Sequence, residues 1–403
     1  MSRAVSVFIA LCVASTGSLL AHHGFGTFDL TKSVTYTGKL TRLEFINPHS
    51  WLYFETTDAN GKVMKHRCEM RSAHTLRRSG WSRELFPIGQ QVTIEAAPDR
   101  EDPASCYLNT IRFRDGSRMD RYGQYVKAGA AIKEVRGQVN VPKVQRAARR
   151  PSGEPNISGD WAPEQVVMRD PRGTGGGLVP LSEIGERPPE NAAPPAAGRA
   201  GRAAAGGARA GAPAAGRRGG GPRQFGGTEL TDAGTAAAAK LTAADNPRFK
   251  CETTSILFDW TFDGPVNRIT QNKDSIVIEY GQRNLKRTVH MTMKTHPASV
   301  KPSRAGHSIG WWENDVLVVD TVGFLPGFLS APVRHGSKLH VVERFALDPT
   351  TMKITRTYTA EDPEYLKGKA SNSDVVQMAD APYTKDECKE QGFIDYSKEV
   401  KKK

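Results

Sequence analysis

Between residues 306 and 321 apolar and polar positions alternate in two runs, Gly306-His307-Ser308-Ile309-Gly310-Trp311-Trp312-Glu313 and Val316-Leu317-Val318-Val319-Asp320-Thr321, separated by Asn314-Asp315. Alternation of this kind predicts two strands, and Asn and Asp tolerate the positive φ of a type I′ turn. The turn sets the register: Glu313 pairs with Val316, Trp311 with Val318 and Ile309 with Asp320. One face then carries His307, Ile309, Trp311, Val316, Val318 and Asp320, so His307 is a diagonal neighbour of Asp320. Such a pair is a candidate catalytic dyad, and a satisfied structural pair at a barrel end produces the same pattern.

Similar runs predict strands at 266–271, 275–280, 286–293, 306–313, 316–322, 338–347 and 352–360, after a helix at 229–242. Gly159-Asp160-Trp161, within an island at 156–162, resembles the opening motif of lipocalin-like barrels, where the Trp closes the floor. Seven strands and the island make eight, enough to close an antiparallel barrel around one small ligand. Nearer the amino terminus the pattern predicts strands at 34–45, 51–57, 63–70, 90–97 and 106–114, with a Ser-capped helix at 72–80 after the third. That is the order of a five-stranded OB-like barrel. The expectation is an all-β chain with an OB-like barrel at 22–127 and an antiparallel lipocalin-like barrel at 228–403.

Composition changes the picture between these units. From Arg136 to Arg223 the chain is rich in Ala, Gly, Pro and Arg, which buries too little apolar surface to offset ordering entropy, so 128–227 reads as a flexible linker. It holds much of the excess charge in a chain of net +13, and electrostatic contact with an anionic envelope surface is one expectation for it. Residues 1–21 read as a secretory signal: Arg3, then the apolar run Val5 to Val13, then small residues up to Ala21. The mature chain is therefore expected in the periplasm or outside the cell, away from nucleic acid. Cys12 leaves with the signal, and the four remaining cysteines suit disulfides. Of the three pairings, Cys68 with Cys106 and Cys251 with Cys388 is the economical one, since each stays on one side of the linker. There is no Gly-x-Ser-x-Gly elbow, phosphate-binding loop, dinucleotide fingerprint or His-Glu-x-x-His, which disfavours nucleotide-dependent enzymes, α/β-hydrolases and zincins.

Several motifs taken together, His22-His23-x-Phe25, Asn47-Pro48-His49-x-Trp51, Gly306-His307-Ser308-Ile309-Gly310, Asp315-x-Leu317-Val318-Val319-Asp320-Thr321 and His340-Val341-x-Glu343-Arg344-Phe345, resemble a family of exported bacterial proteins of unassigned function. The resemblance implies an OB-like amino-terminal module and an envelope location, and no reaction. Trp311 stands where the family pattern has a charged residue.

Three functional expectations follow. The leading one is a binding or carrier protein for an apolar or aromatic small molecule, its pocket lined by Trp260, Phe262, Trp311, Phe324 and Phe328. The second is an enzyme without organic cofactor, a lyase, isomerase or hydrolase moving protons with His307, Asp320 and Glu343. Glu343 shares a face with Leu339, Val341 and Phe345, where a carboxylate needs a cation such as Arg304 or Arg356 or else a raised pKa. The third is copper binding: cleavage after Ala21 exposes His22, whose amine and imidazole can chelate the metal with His23 and with His49 or His74. No other cofactor is expected.

Overall fold

The computed structural model describes residues 28–79, 81–86, 88–121, 125–126, 146–168, 178–180, 224–242 and 245–390. In the first unit β1 (Val34–Glu44), β2 (Trp51–Thr57) and β3 (Val63–Glu69) form a meander; α1 (Ala73–Arg78) follows, then β4 (Gln91–Pro98), β5 (Ser105–Arg112) and β6 (Arg118–Asp120). The strand order is β3-β2-β1-β4-β5, and a parallel β3–β5 pairing closes it into the expected five-stranded barrel. That pairing sets Cys68 opposite Cys106, and the two are disulfide-bonded. Alternate side chains, among them Leu40, Leu52, Phe54, Ile94 and Leu108, point into one core, which Leu76 of α1 and the following Trp81 and Phe86 cap. Ser72 starts α1 by accepting from the Thr75 N–H, as its position predicts.

The second unit is a closed barrel of nine strands rather than eight. It comprises β7 (Gly159–Ala162), β8 (Asn267–Gln271), β9 (Ser275–Glu279), β10 (Lys286–His290), β11 (His307–Glu313) and β12 (Val316–Val322). A hairpin of β13 (Gly327–Ser330) and β14 (Val333–His335) stands outside the wall, which β15 (His340–Asp348), β16 (Lys353–Glu361) and β17 (Lys369–Met378) complete. β17 escapes the hydrophobic pattern because Lys369-Ala370-Ser371-Asn372-Ser373-Asp374 is polar, and its buried positions are few, Ala370 and Val376 among them. The island is a wall strand, and Trp161 is fully buried with its indole N–H on the Ile157 carbonyl at 2.7 Å. One wall pair, β10–β11, is parallel, because residues 291–306 cross back along the barrel instead of turning tightly. The predicted helix is present as α2 (Asp232–Ala239), capped by Thr231.

The lumen is packed with side chains. Trp260, carried on the segment before β8, makes edge contacts with Tyr280 and Phe345 at 5.7 and 5.8 Å. Beside them lies a buried ionic chain. Glu343 accepts from Arg287 at 2.5 Å and from Arg356 at 3.1 Å, and Arg356 also holds Asp374 and the carbonyls of Ile256 and Leu257. Burial opposes charge on the two guanidiniums, yet the carboxylates beside them raise both above the ordinary arginine value. Arg356 is thus one of the two partners anticipated for Glu343, while Arg304 bonds the Pro326 carbonyl instead.

The two barrels meet through α1. Arg78 bonds Asp380 at 2.7 Å and the carbonyls of Gly264 and Pro163, and Asn47 bonds both His74 and Asp386. Arg283 reaches Asp386 from the second barrel, and the Cys251–Cys388 disulfide ties the segment carrying Asp386 to that barrel. Burial works against the Asp386 carboxylate, but His74 and Arg283 outweigh it and bring its pKa to about 2. Residues 1–27, with the expected signal and His22-His23, and most of the expected linker, including 181–223, lie outside the described residues.

The ionic chain makes a stability prediction. Glu343→Ala leaves Arg287 and Arg356 buried without their shared carboxylate, so urea unfolding should show a loss of about 3 kcal/mol or more. A loss below about 1 kcal/mol contradicts this account of the lumen.

Candidate functional site

The hairpin forms as its sequence predicts. Asn314 and Asp315 have φ of 46° and 68°, and β11 and β12 pair Glu313 with Val316, Trp311 with Val318 and Ile309 with Asp320. The face that points inward is the other one. Ser308 and Thr321 share a buried hydroxyl hydrogen bond of 2.9 Å, and Leu317 and Val319 join the lumen core. His307, Ile309, Trp311, Val318 and Asp320 therefore lie on the outer face of the wall. On β15, Glu343 pairs with Val319 and points inward, whereas Val342 pairs with Asp320 and shares its face with His340. Glu343 is thus separated from His307 and Asp320 by the thickness of the sheet.

What gathers on the outer face is a set of imidazoles around one carboxylate. His307 opens β11, His340 opens β15 and His290 closes β10, so all three sit at the same end of the wall. His296 comes from the crossing segment. The Nδ1 atoms of His296 and His307 are 2.8 Å apart, His296 Nε2 lies 3.1 Å from Asp320 Oδ1, and His340 Nε2 lies 2.9 Å from the same oxygen. The His290 ring stacks on His307 with centroids 5.0 Å apart. Asp320 is 24% exposed and His340 39%, so the set is half in solvent.

The environments separate the groups electrostatically. Burial disfavours charge on Asp320, but hydrogen bonds from His340 and His296 outweigh it and hold the carboxyl below its ordinary value. The Asp320 hydrogen bond raises His340 above the ordinary imidazole value of 6.5. Burial, and then the neighbouring His290 and His296, lower His307 below it. The tautomers follow from the bonding: a carboxylate only accepts, so His296 donates through Nε2. When His296 is neutral its Nδ1 is an acceptor, His307 donates through Nδ1, and His307 Nε2 is left with a free lone pair. Among the described residues no three such side chains converge in the manner of a preformed metal centre.

The remaining candidates occupy different places. Trp260 is buried in the lumen core, and Phe324 is buried against His335 of the external hairpin. Phe262 stacks on Phe258 at 4.3 Å under Arg248, Phe328 lies under Arg334 in the external hairpin, and Trp311 is 39% exposed with its N–H on Glu313. His49 hydrogen-bonds Glu69, and His74 lies 3.6 Å from Asp386 at the barrel junction. The copper ligands His22 and His23 lie outside the described residues. The hydrophobic pattern marks none of His290, His296 and His340 as a site residue, although His340 opens the His340-Val341-x-Glu343-Arg344-Phe345 motif. His340 was within reach, since it has the parity of Val342 and hence of Asp320, but only once β12 and β15 are known to be neighbours.

Comparison with known proteins adds one match. Residues 10–106, which include most of the first barrel, match a family of unknown function, DUF6152. No curated protein and no solved structure matches the chain.

Linkage gives the cluster a pH signature. The folded pKa of Asp320 is lowered from 3.8, so its contribution to stability is present above that value and lost as pH falls through the folded pKa. His340 is raised from 6.5, so its contribution is present below 6.5 and lost as pH rises through its folded pKa. Asp320→Asn should therefore destabilise most between these limits, by about 1 kcal/mol or less given the partial exposure. Urea titrations at a series of pH values check this; a difference that grows steadily into the alkaline range contradicts it.

Proposed function

We propose that the second barrel is an acid–base catalyst without organic cofactor, acting on a small molecule at the His307–His340 end of its outer face. The observation that carries the reading is an unbroken hydrogen-bonded chain, His307–His296–Asp320–His340, with links of 2.8, 3.1 and 2.9 Å. It joins an imidazole of lowered pKa to one of raised pKa, and environments that push two titratable groups apart assign base and acid. His307 takes a proton from the substrate at Nε2. His340, whose protonated form Asp320 favours, delivers one from Nδ1–H to the departing or developing oxygen. Exchange with solvent, which reaches both partly exposed rings, removes the proton gained at His307 Nε2 and replaces the one lost from His340 Nδ1, and so returns both imidazoles to their starting forms.

Covalent chemistry is less well supported than proton transfer. Every cysteine among the described residues is in a disulfide, and the Ser308 hydroxyl faces away into the barrel wall. The reaction class is accordingly isomerisation, elimination or water activation. Carriage of an apolar ligand in the lumen would require Trp260, Tyr280 and Phe345 to leave a close-packed core. The two disulfides are compatible with an oxidising compartment, and we place the catalyst in the periplasm or outside the cell.

Nitrobenzisoxazole, which opens when a base removes its ring proton, and nitrophenyl acetate, which reports water activation, serve as probes of the purified chain. Turnover of at least one probe should fall about a hundredfold in His307→Asn and in His340→Asn, with folding checked by circular dichroism. Rates unchanged in both variants, or no turnover of either probe by the unaltered chain, count against the assignment.

A further inference from the structure

A surface depression lies on the first barrel, remote in sequence from the imidazole cluster. The β1–β2 ladder slips between Leu40 and Arg42, leaving Thr41 as the extra residue of a bulge. The β1–β4 ladder ends at the same place, with Lys39 opposite Gln91 and the Gly89 N–H on the Leu40 carbonyl at 2.8 Å. A bulge bends its strand. Beyond it β1 parts from the chain leading into β4, and a depression of about 260 Å³ opens between Thr41, Arg42 and Leu43 on one side and Arg83, Phe86 and Ile88 on the other.

Its lining has two characters. Phe86 is buried against Trp81 and Phe113 and gives a rigid aromatic floor, while Ile88 stands on the rim 57% exposed. Arg42 lies over the Tyr53 ring at 3.8 Å, and Arg83 is anchored to the Phe45 carbonyl at 3.2 Å. These guanidiniums are only partly neutralised locally. Glu44 is shared by Arg42 and Lys389, and Glu387 by Arg77 and Arg83, so four cations serve two carboxylates. Exposed ion pairs of this kind are weak, which leaves the arginines available to a better acceptor.

We infer that this depression binds a small organic anion, an aromatic or branched apolar body bearing one carboxylate, with the carboxylate between Arg42 and Arg83 and the body against Leu43, Phe86 and Ile88. Paired guanidinium donors suit a planar carboxylate. An apolar cavity of roughly 150 Å³ holds benzene, so a depression of about 260 Å³ suits a one- or two-ring acid and not an oligomer.

Naphthoate is the probe, titrated calorimetrically into the full disulfide-bonded chain, with naphthalenemethanol and inorganic phosphate as comparisons. Saturable naphthoate binding is expected, weakened at least about tenfold in Arg42→Gln/Arg83→Gln. Ile88→Asp, on an exposed rim where folding is not at stake, should weaken it similarly. Three results overturn the inference: no saturable binding, equal affinity for the uncharged alcohol, or displacement by phosphate alone, which marks a site for any anion. Undiminished binding in the double arginine variant overturns it as well.

Discussion

The register of the β11–β12–β15 sheet is the constraint on which the second barrel depends. Side chains alternate across a strand, so pairing Val319 with Glu343 sends both inward and sends Asp320, Val342 and His340 outward. The inner members complete a core whose charges, Arg287, Glu343, Arg356 and Asp374, are matched to one another. The outer members complete the imidazole chain. A slip by one residue would bury Asp320 and His340 among aliphatic side chains and pull Glu343 from its two arginines. Unpaired buried charge is costly, so the interior enforces the arrangement that assembles the exterior. Stability and candidate chemistry are thus two consequences of one pairing.

Much of this was legible in the chain. The Asn314-Asp315 turn, the hairpin register and both barrels follow from local pattern, the disulfide partners are the economical pairing, and Arg356 is one of the two arginines that charge pairing offers Glu343. Which face of the hairpin points inward did not follow. Val316 and Val318 on one side and Leu317 and Val319 on the other are equally apolar, so the pattern of β12 alone does not choose. The choice is made on β15, where only one face can carry the carboxylate that neutralises Arg287 and Arg356. β17 was hidden because most of its exposed positions are polar and its inward ones are small or paired, as with Asp374 and Arg356. His296 was hidden for a different reason: it arrives on an irregular crossing segment, where no periodicity assigns a direction.

The first barrel holds the second through a polar seam rather than an apolar one. Asn47, His74 and Arg78 on one side meet Asp380, Asp386 and Arg283 on the other, and most of these side chains are buried. Each cation there finds a carboxylate, which is the condition under which burying charge is tolerable. This seam gives Asn47 a structural task, through its bonds to His74 and Asp386.

In the acid–base reading one protein environment holds two imidazoles, His307 and His340, on opposite sides of their ordinary pKa. Side-chain NMR of the selectively labelled full chain, followed through a pH titration, measures this directly and needs no substrate. The account predicts that His340 titrates above 6.5 and His307 below it, with both midpoints moving when Asp320 is replaced by Asn. Coincident midpoints, or the reverse order, would contradict it.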